Sequence, residues 1–373
     1  LLRGRFNVPH PAWIEIDLGQ LRRNLARIGR LVAPARLAFV VKANAYGHGL
    51  VPVAKGVEEH VDLFAVACAD EAIALQEAGV RKPLLVLGAV DQEQIDTLIE
   101  RDIEFTISSP FKGRLVTEAC RRKGKPARIH IEVDTGMQRT GMRPDTTIRF
   151  CQELDRRWLI PCGIYSHFAN ADQQDVQDQL AAFQQLLTHP AVASIPLRHL
   201  ANSAGALYAP ASRLDMVRVG LLAYGYPAGT LEGILPCFSL KSRISYFKVV
   251  EAGQGISYGH TFVTDRRMRI VTIPVGYGDG YRRALSNKGS VLIRGKRYPI
   301  VGAICMDQFL VALGDEEAYV GEEAVLIGRQ GDGEISIEEI ADLCGTIPYE
   351  ILCQFTERIP RRYVDAVPTA PMV

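Results

Sequence analysis

The chain has 373 residues, 47% of them hydrophobic, enough for one large domain and a smaller one with its own core. Its 43 basic and 42 acidic residues leave a formal charge of +1, which argues against a nucleic-acid or anionic-membrane binder and for a small-molecule partner. No run approaches the roughly 20 apolar residues that span a bilayer, the opening Leu1–Trp13 has neither a hydrophobic signal core nor a Met, and eight dispersed cysteines without a CxxC pair read as reduced thiols, so a cytoplasmic protein without a bound metal is expected.

In chain order, Trp13–Ile16 reads as a strand, free to join either domain, and Asp17 stands where it can cap a helix whose Leu21, Leu25 and Ile28 form one face. Eight short apolar runs follow: Leu37–Val41, Phe64–Ala67, Leu84–Leu87, Glu104–Ile107, Arg128–Val133, Cys162–Tyr165, Leu197–Ala201 and Met216–Val219. Helix-like stretches separate them, such as Asp70–Ala78, where Ile73, Ala74 and Glu77 keep helical spacing and Gly79 supplies a stop. Eight strand-then-helix units predict a closed (β/α)8 TIM barrel. After Pro236 the texture turns to strands without long helices: Ser239–Val250, Arg269–Pro274, Ser290–Ile293, Tyr298–Ala303, Phe309–Ala312 and Ala324–Ile327. The expected organisation is an α/β chain with a barrel domain over 1–236 and a mainly β domain over 237–373.

In a barrel, catalytic groups sit where strands end, and the unusual residues of this chain collect there. The first barrel strand runs into Val41-Lys42-Ala43-Asn44-Ala45-Tyr46-Gly47-His48-Gly49. A lysine at a strand tip suits a Schiff base, because confinement lowers the amine's pKa and aims it, although a structural or phosphate-binding lysine fits the same place. The fifth strand leads into Asp134-Thr135-Gly136-Met137-Gln138-Arg139, whose arginine fork suits a substrate carboxylate or a surface ion pair. His167 and His199 follow neighbouring strands, and Asn202-Ser203-Ala204-Gly205 opens a short helix able to take a phosphate. Arg218-Val219-Gly220-Leu221 closes the set with a basic side chain and a glycine that lets backbone approach an anion. A Schiff-base lysine and a phosphate cradle on one rim suggest pyridoxal phosphate.

These motifs resemble the alanine racemase family over about Trp13 to Arg361. Beside the lysine segment, Ile256-Ser257-Tyr258-Gly259-His260-Thr261-Phe262 resembles its catalytic-tyrosine segment, and Gly276-Tyr277-Gly278-Asp279-Gly280-Tyr281 and Cys305-Met306-Asp307-Gln308 resemble two more of its signatures. The resemblance implies racemisation of alanine by two bases: Lys42, carrying the cofactor as an internal aldimine, and Tyr258 from the other subunit of a homodimer with shared sites. It also implies that Tyr46, Asn202, Ser203, Gly220 and Leu221 hold the phosphate, that His167 packs on the pyridine ring, and that Arg218, oriented by His199, faces the ring nitrogen. An arginine there keeps that nitrogen unprotonated and restrains side reactions. Arg139 and Met306 would contact substrate, with Glu132 and Asp307 behind them. Tyrosine's reference pKa near 10 calls for neighbouring positive charge, for which Arg139 and Arg283 are the candidates. The product, D-alanine, would serve peptidoglycan.

Two positions depart from the family's pattern. Glu132 stands where many members carry a lysine that becomes carbamylated and binds the substrate-orienting arginine; the expectation is that Glu132 pairs with Arg139 without a carbamate, its shorter reach made up by a backbone shift or a water. Glu357 stands where a tyrosine lies near the phosphate, which leaves either a roomier site that admits serine or a surface pair with Arg358. The alternatives are a serine or broad-specificity racemase, a decarboxylase on a related barrel, which would lack the Tyr258 segment, and a non-enzymatic cofactor carrier, against which the β domain argues.

Overall fold

The computed structural model describes residues 10–170 and 173–365. The opening stretch up to Pro9, read above as lacking a signal core, lies outside the described residues. Two compact units emerge: one comprises the chain up to Gln20, Tyr46–His48 and everything from Pro236 on, the other Leu21–Ala45 with Gly49–Leu235.

The larger unit is the expected parallel barrel. With the leading strand Ala12–Asp17 as β1, its staves are β2 (Arg36–Val40), β3 (Leu63–Val66), β4 (Leu84–Val86), β5 (Glu104–Ile107), β6 (Ala127–Glu132), β7 (Leu159–Tyr165), β8 (Leu197–His199) and β9 (Met216–Val219). They pair in sequence and close by β2 on β9. Burial on both faces explains why these strands read as continuous apolar runs. The helix Ala69–Glu77 stops where Ala78 and Gly79 turn back, Gly79 at a positive φ of 84° that glycine accepts without strain. Residue alternation sends every second side chain into the lumen. On β6 that places Arg128, His130 and Glu132 in one file from the far end to the mouth.

The second unit is a mainly β structure. β10 (Phe238–Arg243), β11 (Tyr246–Val250), β12 (Gly255–Ile256), β13 (Phe262–Val263), β14 (Met268–Ile273), β15 (Ser290–Ile293), β16 (Lys296–Val301), β17 (Phe309–Gly314), β18 (Glu323–Gln330), β19 (Gly333–Ile335) and β20 (Arg361–Val364) follow in order. The main sheet runs β11-β14-β17-β16-β15-β18-β10-β1-β20. β1 therefore pairs antiparallel with β10, Ile14 opposite Leu240. Asp17 accepts the Gln20 amide at 2.8 Å, the cap expected ahead of the helix Leu18–Val32. The single run Ser239–Val250 proves to be two strands: the chain bends at Ile244-Ser245, so that β10 joins β1 and β18 while β11 joins β14. Two short helices, Ile337–Cys344 and Pro348–Cys353, follow the last of these runs, in a stretch expected to lack only long helices. Among the described residues no helix is long and apolar enough to cross a membrane, and the eight cysteines are free thiols.

Candidate active site

A cavity of about 230 Å³ opens at the C-terminal ends of the barrel strands, lined among others by Lys42, Thr106, Ser108, Glu132, Arg139, Tyr165, His167 and Arg218. Five residues singled out from the sequence thus meet in one place: Lys42, Glu132, Arg139, His167 and Arg218. They come from four different strands, which is how a barrel concentrates chemistry at its mouth.

Lys42 stands two residues past β2, at the start of an unusual turn. Ala43, Asn44, Ala45 and Tyr46 all have φ between 52° and 55°, a left-handed run of four non-glycine residues closed by Ala45 N–H donating to the Val41 carbonyl at 2.8 Å. Left-handed winding costs an L-residue roughly 1–2 kcal/mol, so the surrounding structure must impose it. Asn44, the residue type best suited to this region, stabilises the turn by accepting the Leu50 amide at 2.8 Å.

Arg218 is the most enclosed charge of the mouth, 3% exposed. Its Nη1 donates to His199 Nδ1 at 2.8 Å and its Nη2 to the Ser166 carbonyl at 2.8 Å, with the Leu200 carbonyl and His167 Nδ1 each at 3.3 Å. The guanidinium also lies 4.9 Å over the Tyr165 ring. Burial lowers its pKa to about 10, still far above neutrality, so it stays charged. That charge keeps its neighbours neutral: burial first, and then Arg218, Arg139 and Lys42, push His167 down to about 3, and burial with Arg218 and His130 holds His199 well below its ordinary range. Tyr165 stacks on His199 at 4.8 Å. Its hydroxyl donates to Thr106 Oγ1 at 3.0 Å, since the threonine's own proton goes to the Val86 carbonyl. Burial raises the Tyr165 phenol above its usual range, so it remains a neutral wall.

The expected ion pair between Glu132 and Arg139 is not formed among the described residues. Thr140 instead donates to Glu132 Oε1 at 2.9 Å, and burial raises the carboxyl's pKa despite the opposing influence of Thr140, Arg139 and Arg218. The glutamate side chain ends buried beside Thr140 while Arg139 remains exposed. Its turn is fixed by Asp134 Oδ1, which accepts the Gly136 and Gln138 amides at 2.9 and 3.1 Å.

Asn202 caps the helix Ser203–Tyr208 by accepting the Gly205 amide at 2.9 Å, and Ser203 Oγ accepts the Gly220 amide at 3.1 Å. Ser203 keeps its own proton to donate, and Gly220, two residues beyond Arg218 in the chain, is followed by the buried Leu221. Tyr46 belongs to the β unit, buried 5.9 Å from Tyr349, where burial raises its phenol pKa.

In that unit Tyr258 is 75% exposed and Met306 54%. Tyr258 lines an open groove with Tyr246, Lys248, Ser257, His260 and Cys305, and Ser257 ties the segment down by donating to the Ala303 carbonyl at 2.6 Å. Asp307 accepts from Arg358 Nη2 at 2.7 Å, and Arg358 Nε reaches Asp279 at 3.2 Å. Arg358 is thus committed to two aspartates, and the surface pair expected for it with Glu357 is absent among the described residues. The glycines of Gly276–Tyr281 are packing requirements: a side chain at Gly276 would strike the Met306 carbonyl oxygen at 2.2 Å.

Sequence reasoning passed over Thr106, Thr140, His130 and Glu104. The first two were visible only as hydroxyls, Thr106 near the end of β5 and Thr140 in the turn after β6. His130 carried a usable signal, since it stands two residues before Glu132 and so on the same face of the strand.

Residues 16–228 match the alanine racemase N-terminal domain family and residues 237–363 its C-terminal domain family. The chain is 41% identical to the alanine racemase of Carboxydothermus hydrogenoformans over 95% of its own length and 100% of that protein. Among solved structures, the alanine racemase of Clostridium difficile 630 superposes with a TM-score of 0.89 at 36% identity, covering 96% of this chain and 97% of that one. The alanine racemase of Bartonella henselae with covalently bound pyridoxal phosphate superposes at 0.86 with 28% identity, covering 95% and 100%.

Proposed function

Because the chain belongs to the alanine racemase family, we propose that it interconverts L- and D-alanine with pyridoxal 5'-phosphate as cofactor, Lys42 and Tyr258 being the two acid/base groups. The observation that carries the reading is the meeting of an amine, a permanently charged fork and a neutral imidazole (Lys42, Arg218 and His167) around one cavity.

This donor set suits the cofactor. Lys42 would hold it covalently, His167 would lie against its ring, and Arg218 would face the ring nitrogen. Tyr46, Asn202, Ser203, Gly220 and Leu221 would hold the phosphate, Ser203 with the proton that its two backbone partners leave available. When bound, the group supplies an electron sink that acidifies the Cα proton. Lys42 Nζ serves one face of Cα and Tyr258 Oη the other, so that a proton leaves one face and returns to the opposite one. Arg139 orients the substrate carboxylate, helped by Met306, with Glu132, His199 and Asp307 behind them. The exposure of Tyr258 and Met306 supports a homodimer in which the tyrosine of a second copy completes each site. Free cysteines support work in the cytoplasm, supplying D-alanine to peptidoglycan.

The test is loss of the Cα proton in D₂O, followed by NMR with chiral analysis for L-alanine and then L-serine. Wild type should yield deuterated D-alanine, Lys42→Ala should lose at least about a thousandfold in rate, and Tyr258→Phe should be severely impaired. A wild-type protein that binds the cofactor yet neither exchanges nor inverts either substrate would overturn the reading.

A further inference from the structure

Four side chains form an unbroken line through the barrel lumen. Arg218 Nη1 meets His199 Nδ1 at 2.8 Å, His199 Nε2 meets His130 Nδ1 at 2.9 Å, and His130 Nε2 meets Glu104 Oε2 at 2.9 Å. His199 and His130 are fully buried, Arg218 and Glu104 nearly so. Glu104 ends the line at the opposite end of the barrel, where it lines a second cavity of about 380 Å³ with Arg128, Arg36 and Asp62, and its Oε1 accepts from Arg128.

The chemistry of the ends fixes the direction of every bond. A guanidinium only donates, so His199 Nδ1 must accept and carry no proton. The single proton of a neutral ring then sits on Nε2 and is donated to His130 Nδ1, whose own proton sits on Nε2 and is donated to Glu104. A carboxylate only accepts, so the line closes without two donors or two acceptors meeting.

The barrel gives up packing to hold this line. Lumens of this architecture are ordinarily filled by branched apolar side chains in layers. Here the β6–β7 register slips between Ile129 and His130, leaving Cys162 as the extra residue, an irregularity of the kind that re-aims a side chain. Opposite His130 stands Gly163, where a Cβ would come within 2.4 Å of His130 Nδ1. The slip sets Gly163 rather than Cys162 opposite His130, and the missing side chain there makes room for the imidazole.

We propose that Glu104 is a positioning residue for Arg218, acting through His130 and His199 to hold both rings in one tautomer and the guanidinium in one orientation at the mouth. The role assigned to Arg218 rests on the reading under Proposed function; the proton positions do not.

The experiment is NMR of the ring nitrogens in protein labelled with ¹⁵N-histidine, with and without pyridoxal phosphate, for wild type, Glu104→Leu, Glu104→Gln and Gly163→Ala. In wild type, His199 and His130 should each show a bare Nδ1 and a protonated Nε2. Glu104→Leu removes the acceptor while Arg128, whose side chain is 43% exposed, turns to solvent. Both rings should then lose their single tautomer, the absorbance of bound cofactor should shift, and kcat for alanine should fall about tenfold with KM little changed. Glu104→Gln, which restores an acceptor oxygen, should recover the wild-type ring state and most of kcat. Gly163→Ala, which changes no titratable group, should reproduce the leucine variant's ring signals. A protonated Nδ1 on His199 in wild type overturns the proposal without any variant, and so does a folded Glu104→Leu protein with unchanged ring signals, absorbance and kcat. A protein that takes up no pyridoxal phosphate would instead sink the functional reading, while the ring states of the cofactor-free protein still decide the relay.

Discussion

The two ends of the barrel lumen carry similar residue types in different balance. The far cavity has Arg36 and Arg128 against Asp62 and Glu104, and its charges are settled locally: Arg128 on Glu104, and Asp62 on the Leu37 amide at 2.7 Å. The mouth has Lys42, Arg139 and Arg218 against Glu132 alone, and that carboxylate has its pKa raised rather than lowered. A matched end needs no guest. An end with surplus cations and neutral imidazoles is organised for an anion, and the phosphate and carboxylate of the proposed cofactor and substrate supply that charge.

The sharpest way to break this contrast is Arg218→Lys, which keeps the charge and loses the fork. A lysine ammonium cannot reach His199 Nδ1 and the Ser166 and Leu200 carbonyls together, and kcat for alanine should fall about a hundredfold. Steady-state kinetics with kcat within twofold of wild type would show that surplus charge alone defines the mouth.

Acid offers the next largest effect. Burial and Arg218 hold the folded-state pKa values of His167 and His199 below the ordinary 6.5, so the unfolded chain takes up protons that the folded one refuses. Their contribution to stability is therefore present above about pH 6.5 and lost as pH falls toward the folded-state values. Each such histidine adds about 1.4 kcal/mol per pH unit to the slope. Urea unfolding between pH 6.5 and 5 should show a loss about 2 kcal/mol smaller in His199→Asn than in wild type; parallel slopes would mean that His199 is protonated in the fold.

The smallest effect concerns the lone carboxylate. Because the folded-state pKa of Glu132 is raised, its protonated form is favoured in the fold, a contribution fully present below the unfolded value near 4.5 and lost as pH rises through the folded one. Glu132→Gln keeps an acceptor for Thr140 and should stabilise the protein by about 1 kcal/mol at pH 7, with the gain vanishing below pH 4.5. A destabilised variant at pH 7 would mean that Arg139 engages the carboxylate in solution after all.

The eight staves were legible because each is a short apolar run bounded by helical stretches, and Lys42, His167, His199 and Arg218 stood out as polar residues at strand ends. The relay was not legible in that way. Glu104 opens a strand of otherwise unremarked character, and its partners are supplied by strands 26 and, beyond His130, 69 residues further along, contacts that exist only once the barrel closes. The partner of Glu132 was misjudged for a local reason: Arg139 and Thr140 are adjacent in a turn, and which of the two faces the carboxylate depends on backbone angles, Gln138 at φ 55° among them, that composition does not reveal. The bend at Ile244-Ser245 was hidden because neither glycine nor proline marks it.

The left-handed turn after Lys42 has a consequence for chemical synthesis. Ala43 at φ 53°, ψ 54° and Ala45 at φ 54°, ψ 50° occupy the region that mirror-image residues prefer. A protein assembled by ligation with D-alanine at position 43 should accept the mirror residue there, relieving roughly 1–2 kcal/mol of winding cost, whereas the same exchange in any right-handed helix of this chain would impose that cost.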